Sequence, residues 1–355
     1  MFYHDYELGK SSKILTEELF KLKPGESFII TADTETDPHV ADAIARAAFA
    51  LDAKPMVIWT ASGLGCGKVL DSFLPSKPLT AALKEADAWV ELNNKWIFYS
   101  TIYDTAIKEN KKLRYLNLVG MSPDMMTRLI GRVNYPVLKI FLEKITKMTE
   151  NAKHVRFTTP AGTDLEFEHL KTSEGKPDPH HPFSAEFGDV SAPGAHMLAG
   201  QIGWVPDLDS VNGLLVFDGT VDPPCRKLEE PIRLTIKNGT VIKIEGGKQA
   251  IEYEVWLKSF NDPQMFRLAH ACYGFNPGAH LSGDIVEDER IWGCTEWGLG
   301  NVGPQLITPN GIPGASHSDG ICLNSSVWLD GKQIMDKGQM IEPDLKKLAQ
   351  KLGKV

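Results

Sequence analysis

A chain of 355 residues is long enough for about two domains, each with its own buried core. With 42% hydrophobic and 24% charged residues, the composition is that of a soluble globular protein and excludes a disordered one. A net charge of −8 argues against nucleic acid or an anionic membrane as partner, because both call for basic patches.

In chain order, Lys13 to Leu22 carries Leu15, Leu19 and Leu22 at helical spacing, with Ser11 and Ser12 as cap candidates. Ser27 to Ala32 reads as a strand. Asp37-Pro38 then opens a helix toward Ala53, with Asp as cap and Pro in the first turn. Strands are predicted at Pro55 to Thr60, Ala88 to Leu92 and Leu113 to Val119, and helices at Leu79 to Ala86 and Thr101 to Glu109. Apolar strands alternating with helices predict an α/β, Rossmann-like domain, a doubly wound parallel sheet covered on both faces. Helical segments from Asp124 to Asn134 and Pro136 to Asn151 close it, so the first domain is read as 1–150.

Beyond His154 the pattern changes. Pro160-Ala161-Gly162-Thr163, Lys237-Asn238-Gly239-Thr240 and Leu329-Asp330-Gly331-Lys332 are hairpin turns between alternating runs. Residues 151–355 therefore read as a β-rich α+β domain, with an amphipathic surface helix at Asp344 to Leu352. Five widely spaced cysteines (Cys66, Cys225, Cys272, Cys294 and Cys322) form no C-x-x-C, which suits reduced thiols in the cytoplasm. Met1 to Asp5 lacks a signal peptide's basic start, and no apolar run nears the ~20 residues of a membrane helix. The expectation is a cytoplasmic homo-oligomer with a small-molecule substrate.

Gly63-Leu64-Gly65-Cys66-Gly67-Lys68 fails as a phosphate loop, because Ser62 stands at the first glycine and Val69 at the magnesium-binding hydroxyl. Glu287-Asp288-Glu289 reads as a solvated charge run, and Cys272 and Cys294 as small core residues. His317-Ser318-Asp319 is the more pointed feature. On an extended segment, residues i and i+2 point to the same side, and His270 offers a second imidazole. Two imidazoles and a carboxylate are the ligand set of a facial triad, which holds Fe(II) with open positions. Taken alone, an H-x-D is common by chance, and a strand histidine next to an aspartate is usually structural.

Phe260-Asn261-Asp262-Pro263, His270, Gly274-x-Asn276-Pro277-x-Ala279 and His317-x-Asp319 recur in an order that resembles the 2,5-dihydroxypyridine 5,6-dioxygenase family. The chain is also similar to aminopeptidase T-type metallopeptidases. The first resemblance implies a mononuclear non-haem Fe(II) ring-cleaving dioxygenase of the extradiol type, acting on a hydroxylated N-heterocycle or related aromatic. It implies iron ligands at His270, His317 and Asp319, with Asn301 near the metal. It implies Glu186 and His196 on the substrate side, His196 in a Gly/Pro-rich loop after Pro193-Gly194-Ala195, and Tyr99 at the position of a further base. The peptidase resemblance keeps a metal-dependent hydrolase (amidase, deaminase or aminopeptidase-like) open, with Zn or Mn activating water. There Glu296 stands where the peptidases have a His ligand, as a fourth ligand or an acceptor for an imidazole N–H. Gln201 and His270 replace that group's bridging carboxylates, which implies one metal and not two.

Overall fold

The apolar runs of the amino-terminal region are strands of a single parallel sheet. They are β1 (Ser27–Asp33), β2 (Lys54–Thr60), β3 (Ala88–Glu91), β4 (Arg114–Asn117) and, from much later in the chain, β5 (Gly194–Met197). Their order is β2-β1-β3-β4-β5, and each neighbouring pair runs parallel. Nearly every residue of β1, β3 and β4 is buried, as a sheet covered on both faces requires. Helices Pro38–Phe49, Ser76–Glu85 and Thr101–Glu109 supply the crossovers. Asp37 caps the first of them, its carboxylate accepting the His39 N–H at 2.8 Å. Trp89, Tyr103 and Tyr115 pack beside one another, with Tyr115 4.5 Å from Trp89 and 5.1 Å from Tyr103 between ring centroids.

The computed structural model describes residues 5–354; Met1 to His4, on which the absence of a leader was read, lie outside them. The first helix is Asp5–Lys13, so Ser11 and Ser12 lie inside it and cap nothing. Ser11 Oγ instead donates back to the Glu7 carbonyl at 2.8 Å, a bond available only within a formed helix. Among the described residues no helix is long and apolar enough to cross a membrane.

Two compact units result. One holds the described residues through Val133 together with Gly188–Ala199; the other holds Asn134–Phe187 and the described residues from Gly200. The helix Tyr135–Asn151, read from sequence as the close of the first domain, lies in the second unit. There Phe141 packs on Phe275 and Trp292, each 5.0 Å away between centroids. Those partners lie more than a hundred residues downstream, beyond the reach of a local pattern.

The second unit is built from two antiparallel sheets. One has eight strands and includes His154–Thr158 and Asp164–Glu168; its hairpins turn at Asn238-Gly239 and Asp330-Gly331, all four residues at positive φ. The other has seven, of which four matter most: β6 (Gln201–Trp204), β7 (Leu268–Gly274), β8 (Cys294–Val302) and β9 (Ile312–Cys322), in the order β9-β8-β7-β6. Side chains alternate across this sheet. Trp204, Tyr273 and Trp297 point to one face and meet Phe157 of the eight-stranded sheet at 4.8–6.4 Å between centroids within the group. His270, Cys272, Glu296, His317 and Asp319 take the opposite face by the same alternation.

Candidate metal centre

Strand register brings the cluster together. His270 on β7 lies opposite Gly298 on β8, Gly298 lies opposite Asp319 on β9, and Gly300 lies opposite His317. Across that glycine gap, His270 Nε2 stands 3.1 Å from His317 Nε2. Asp319 Oδ1 is 2.8 Å from His317 Nε2 and 3.4 Å from His270 Nε2. The gap cannot be filled: a Cβ at Gly298 would lie 2.6 Å from His270 Nε2 and 2.8 Å from His317 Cε1. A strand glycine marks such close approaches, and this was the one signal in Trp297-Gly298-Leu299-Gly300 that the sequence reading missed.

The protons of both rings are directed by what lies behind them. His317 Nδ1 donates to the Asn301 carbonyl at 2.7 Å, which leaves Nε2 with its lone pair. His270 Nδ1 has Glu296 Oε1 and Cys272 Sγ each 3.5 Å away, and Nε2 is the nitrogen turned toward His317 and Asp319. Two imidazole nitrogens and a carboxylate oxygen then converge on one point, an arrangement that a cation among them would satisfy. Three donors about 2.1 Å from one ion at right angles stand about 3.0 Å apart, and the observed edges of 2.8–3.4 Å bracket that value. The residues fit a single divalent cation.

Burial draws His270 below its ordinary imidazole value. For His317 burial acts downward too, but the Asp319 charge, its hydrogen bond and the Asn301 carbonyl outweigh it and raise the ring. Burial alone would raise Asp319, yet the charge that His317 carries when protonated, and the N–H each protonated ring then donates, hold it well below the usual carboxylate range. Glu296 is pushed far up, by burial first and then by the charges of Asp319 and Glu289. It is fully buried, and neither carboxylate oxygen accepts a hydrogen bond of ordinary geometry.

Cys272 is buried as expected, but it is not remote from a base. Its Sγ lies 3.5 Å from His270 Nδ1, and with Glu296 it forms a second group of metal-ligand type behind that ring. The Glu287-Asp288-Glu289 run is not solvated: Glu287 and Asp288 are fully buried. Glu287 Oε1 accepts the His280 N–H at 2.9 Å, and Asp288 accepts the N–H groups of Ser282 and Gly283 at 2.8 and 2.9 Å. Backbone donors from the preceding loop are what make that burial tolerable. Gln201, on β6, donates to Glu289 and accepts from Arg290 at 3.0 Å, so its amide is already engaged on both sides.

The remaining sequence candidates divide between the units. Glu186 belongs to the second, where its N–H and carbonyl bracket the excursion of residues 187–199 by bonds to Gln201 and Gly200, both 2.9 Å. Its Oε1 accepts from Ser184 Oγ at 3.4 Å. His196 and Tyr99 belong to the first. His196 is not on a loop but on β5, opposite Leu116 of β4, and its Nε2 donates to the Ala192 carbonyl at 2.9 Å. The partner strand lies some eighty residues upstream, which hid the pairing from a local reading. Tyr99 holds φ +65°, a region that aromatic residues rarely occupy outside functional positions. Asn301 contributes its carbonyl to His317, while its side chain accepts the Gly314 N–H at 3.3 Å.

The architecture that carries this cluster is that of a dioxygenase family. The family is NicX, 2,5-dihydroxypyridine 5,6-dioxygenase; its model matches residues 15–342, and the chain belongs to it. A 2,5-dihydroxypyridine 5,6-dioxygenase of Pseudomonas putida KT2440 is 23% identical over 346 residues, covering 92% of this chain and 94% of that protein. The solved structure of 2,5-dihydroxypyridine dioxygenase from the same organism superposes with a TM-score of 0.75 at 20% identity, covering 96% of this chain and 99% of that one. AmpT from Thermus thermophilus shares the fold at a TM-score of 0.68 and 14% identity, covering 95% and 99%.

Proposed function

We propose that the chain is a mononuclear Fe(II) dioxygenase that opens the ring of 2,5-dihydroxypyridine or a closely related hydroxylated N-heterocycle. The observation that carries this reading is the convergence of His270 Nε2, His317 Nε2 and Asp319 Oδ1 over the Gly298 gap. Family membership supplies the reaction class, and the donor set suits Fe(II), with Zn or Mn as the other ions such ligands accept. Bound there, Fe(II) would offer open positions to substrate and dioxygen and pass charge between them.

The protein's own part is orientation and proton handling. The Asn301 carbonyl holds His317 in the tautomer that presents Nε2, and His270 turns its Nε2 to the same point with Glu296 behind the ring. His196 donates its Nε2 proton to Ala192, which leaves Nδ1 as the atom able to take a proton from a substrate hydroxyl. Glu186 and Tyr99 are assigned to the substrate on the family resemblance, Tyr99 with support from its unusual backbone conformation. The hydrolase reading loses ground to Gln201, whose amide is tied to Glu289 and Arg290 and cannot bridge a second metal.

The test is anaerobic reconstitution with Fe(II), then addition of oxygen to enzyme and 2,5-dihydroxypyridine. Loss of the ring's ultraviolet absorption with one O2 consumed per ring is expected. Turnover of an amide or peptide by the Zn form without oxygen would overturn the reading.

A further inference from the structure

On the face that carries the triplet, a carboxylate outside the ligand set remains unassigned. Gln201 lies opposite Gly274, Gly203 opposite Cys272, and Cys272 opposite Glu296, so Gln201 shares a face with His270 and Glu296. A Cβ on Gly274 would lie 2.6 Å from the carbonyl oxygens of Glu289 and Ile291, so the 289–291 backbone rests directly on that face. This contact delivers the Glu289 side chain beside Gln201. Burial raises the Glu289 carboxyl to about 7, against the lowering charge of Arg290, and the charges of Asp319 and His317 also act on it.

Glu289 differs from the two acids before it. Glu287 and Asp288 are fully buried and take backbone N–H groups of their own loop. Glu289 has only side-chain partners: Oε2 accepts from Gln201 Nε2 and stands 3.3 Å from Arg290 Nη1. Its Oε1 accepts no hydrogen bond among the described residues, and the side chain keeps 16% of its surface exposed. Arg290, only 2% exposed, closes the clamp by donating to Gln201 Oε1 and to the Val286 carbonyl, at 3.0 and 2.7 Å. One oxygen is thus fixed by two donors and the other is left open. A fold that needed only an ion pair here would have no use for Gln201 between the two charges.

We propose that Glu289 Oε1 is a substrate-reading acceptor, taking a hydrogen bond from an O–H or ring N–H of the substrate, with Gln201 and Arg290 as positioning residues. This rests on the dioxygenase reading above and deepens it. A hydroxypyridine presents such donors at fixed points of a planar ring, and a carboxylate held on one side by two donors is a rigid acceptor for one of them. Glu289 stands outside both groups of residues spaced to share a metal ion, so its loss leaves the metal in place.

The test uses Fe(II)-loaded protein under anaerobic conditions, titrated with 2,5-dihydroxypyridine and separately with hydroquinone, which lacks the ring nitrogen. Metal content is measured beside each titration. Glu289→Gln keeps the shape and removes the charge. It is expected to hold a full equivalent of iron and to bind 2,5-dihydroxypyridine about 10–100-fold more weakly, the worth of one hydrogen bond to a charged group. Gln201→Leu is expected to weaken binding by less, also with full iron. Equal weakening for both ligands assigns the bond to a hydroxyl, and weakening for the pyridine alone assigns it to the ring N–H. Binding by Glu289→Gln within twofold of wild type overturns the proposal, as does loss of its iron. A wild-type protein that binds no hydroxylated N-heterocycle defeats the underlying dioxygenase reading instead, and the wild-type titration alone reports that.

Discussion

Each unit buries a glutamate in the middle of a sheet, and the two are treated in opposite ways. Glu91, at the end of β3, is fully buried and fully used. Its Oε2 accepts the Tyr115 hydroxyl at 2.6 Å, and its Oε1 accepts the N–H groups of Ile97 and Phe98. Glu296, on β8, is equally buried, yet its oxygens accept no ordinary hydrogen bond, and its near neighbour is His270 Nδ1 at 3.5 Å. An unsatisfied buried carboxyl costs free energy that a folding role cannot repay. The satisfied glutamate ties a loop to a strand; the unsatisfied one stands behind an imidazole whose other nitrogen faces the proposed cation site.

Damage in the two units should therefore read out differently. The largest effect is expected from Asp319→Ala and, without touching a ligand, from Gly298→Ala. Either removes the metal, one by deleting an anion and the other by placing a methyl where the ion's ligands converge. Both should fold, since a core of this size does not depend on one ion. Iron content near zero with an unchanged circular dichroism spectrum is the expected result; unfolded metal-free protein would break the comparison. Next comes His196→Gln, expected to keep its iron and lose about 10²–10⁴-fold in turnover, the worth of one acid–base group. Loss of iron in that variant would make His196 a ligand and the triplet wrong.

Much of this was legible in the sequence, and the failures share a cause. The i, i+2 spacing of His317 and Asp319 places both on one face of any strand, so that pair was readable without a partner. The alternation of apolar strands and helices likewise announced the parallel sheet. What escaped notice depended on segments distant in the chain. Gly298 matters for the atom it lacks, and only the register of β7, β8 and β9 reveals what that atom would strike. Glu287 and Asp288 looked solvated because charge density reads as surface until the donors at Ser282, Gly283 and His280 are known. The strand at His196 was concealed in the same way, by a pairing with β4.

A smaller effect belongs to Glu296→Leu. Leucine removes the carboxyl that stands behind His270 Nδ1, so the imidazole is less firmly held and becomes a poorer ligand. Affinity for Fe(II) should fall by about 10–100-fold, the usual cost of losing a carboxylate behind a metal-binding histidine. Because the buried carboxyl of Glu296 has no partner of ordinary hydrogen-bond geometry, the melting temperature should hold or rise. A competition titration with a chelator measures the first, and a large loss of stability would show that Glu296 is structural after all.

The smallest effect, confined to the first unit, concerns Glu91 and pH. Burial is the main cause that lifts its carboxyl to about 7, above the ordinary glutamate value, against the lowering influence of Tyr115, Ile97 and Phe98. A raised carboxyl means that the folded chain holds the proton more tightly than the unfolded one. The stability this provides is complete below the unfolded value and is lost as pH climbs toward 7, after which it changes no further. One proton per molecule corresponds to about 1.4 kcal/mol per pH unit, or about 3–5 °C in the melting temperature of a unit this size. Glu91→Gln cannot ionise, so its melting temperature should lack this decline between pH 5 and 7. Plotting wild type minus variant cancels the acids elsewhere in the chain that titrate in the same window. A difference that stays flat across it would mean that Glu91 is ionised throughout, and that its three donors outweigh its burial.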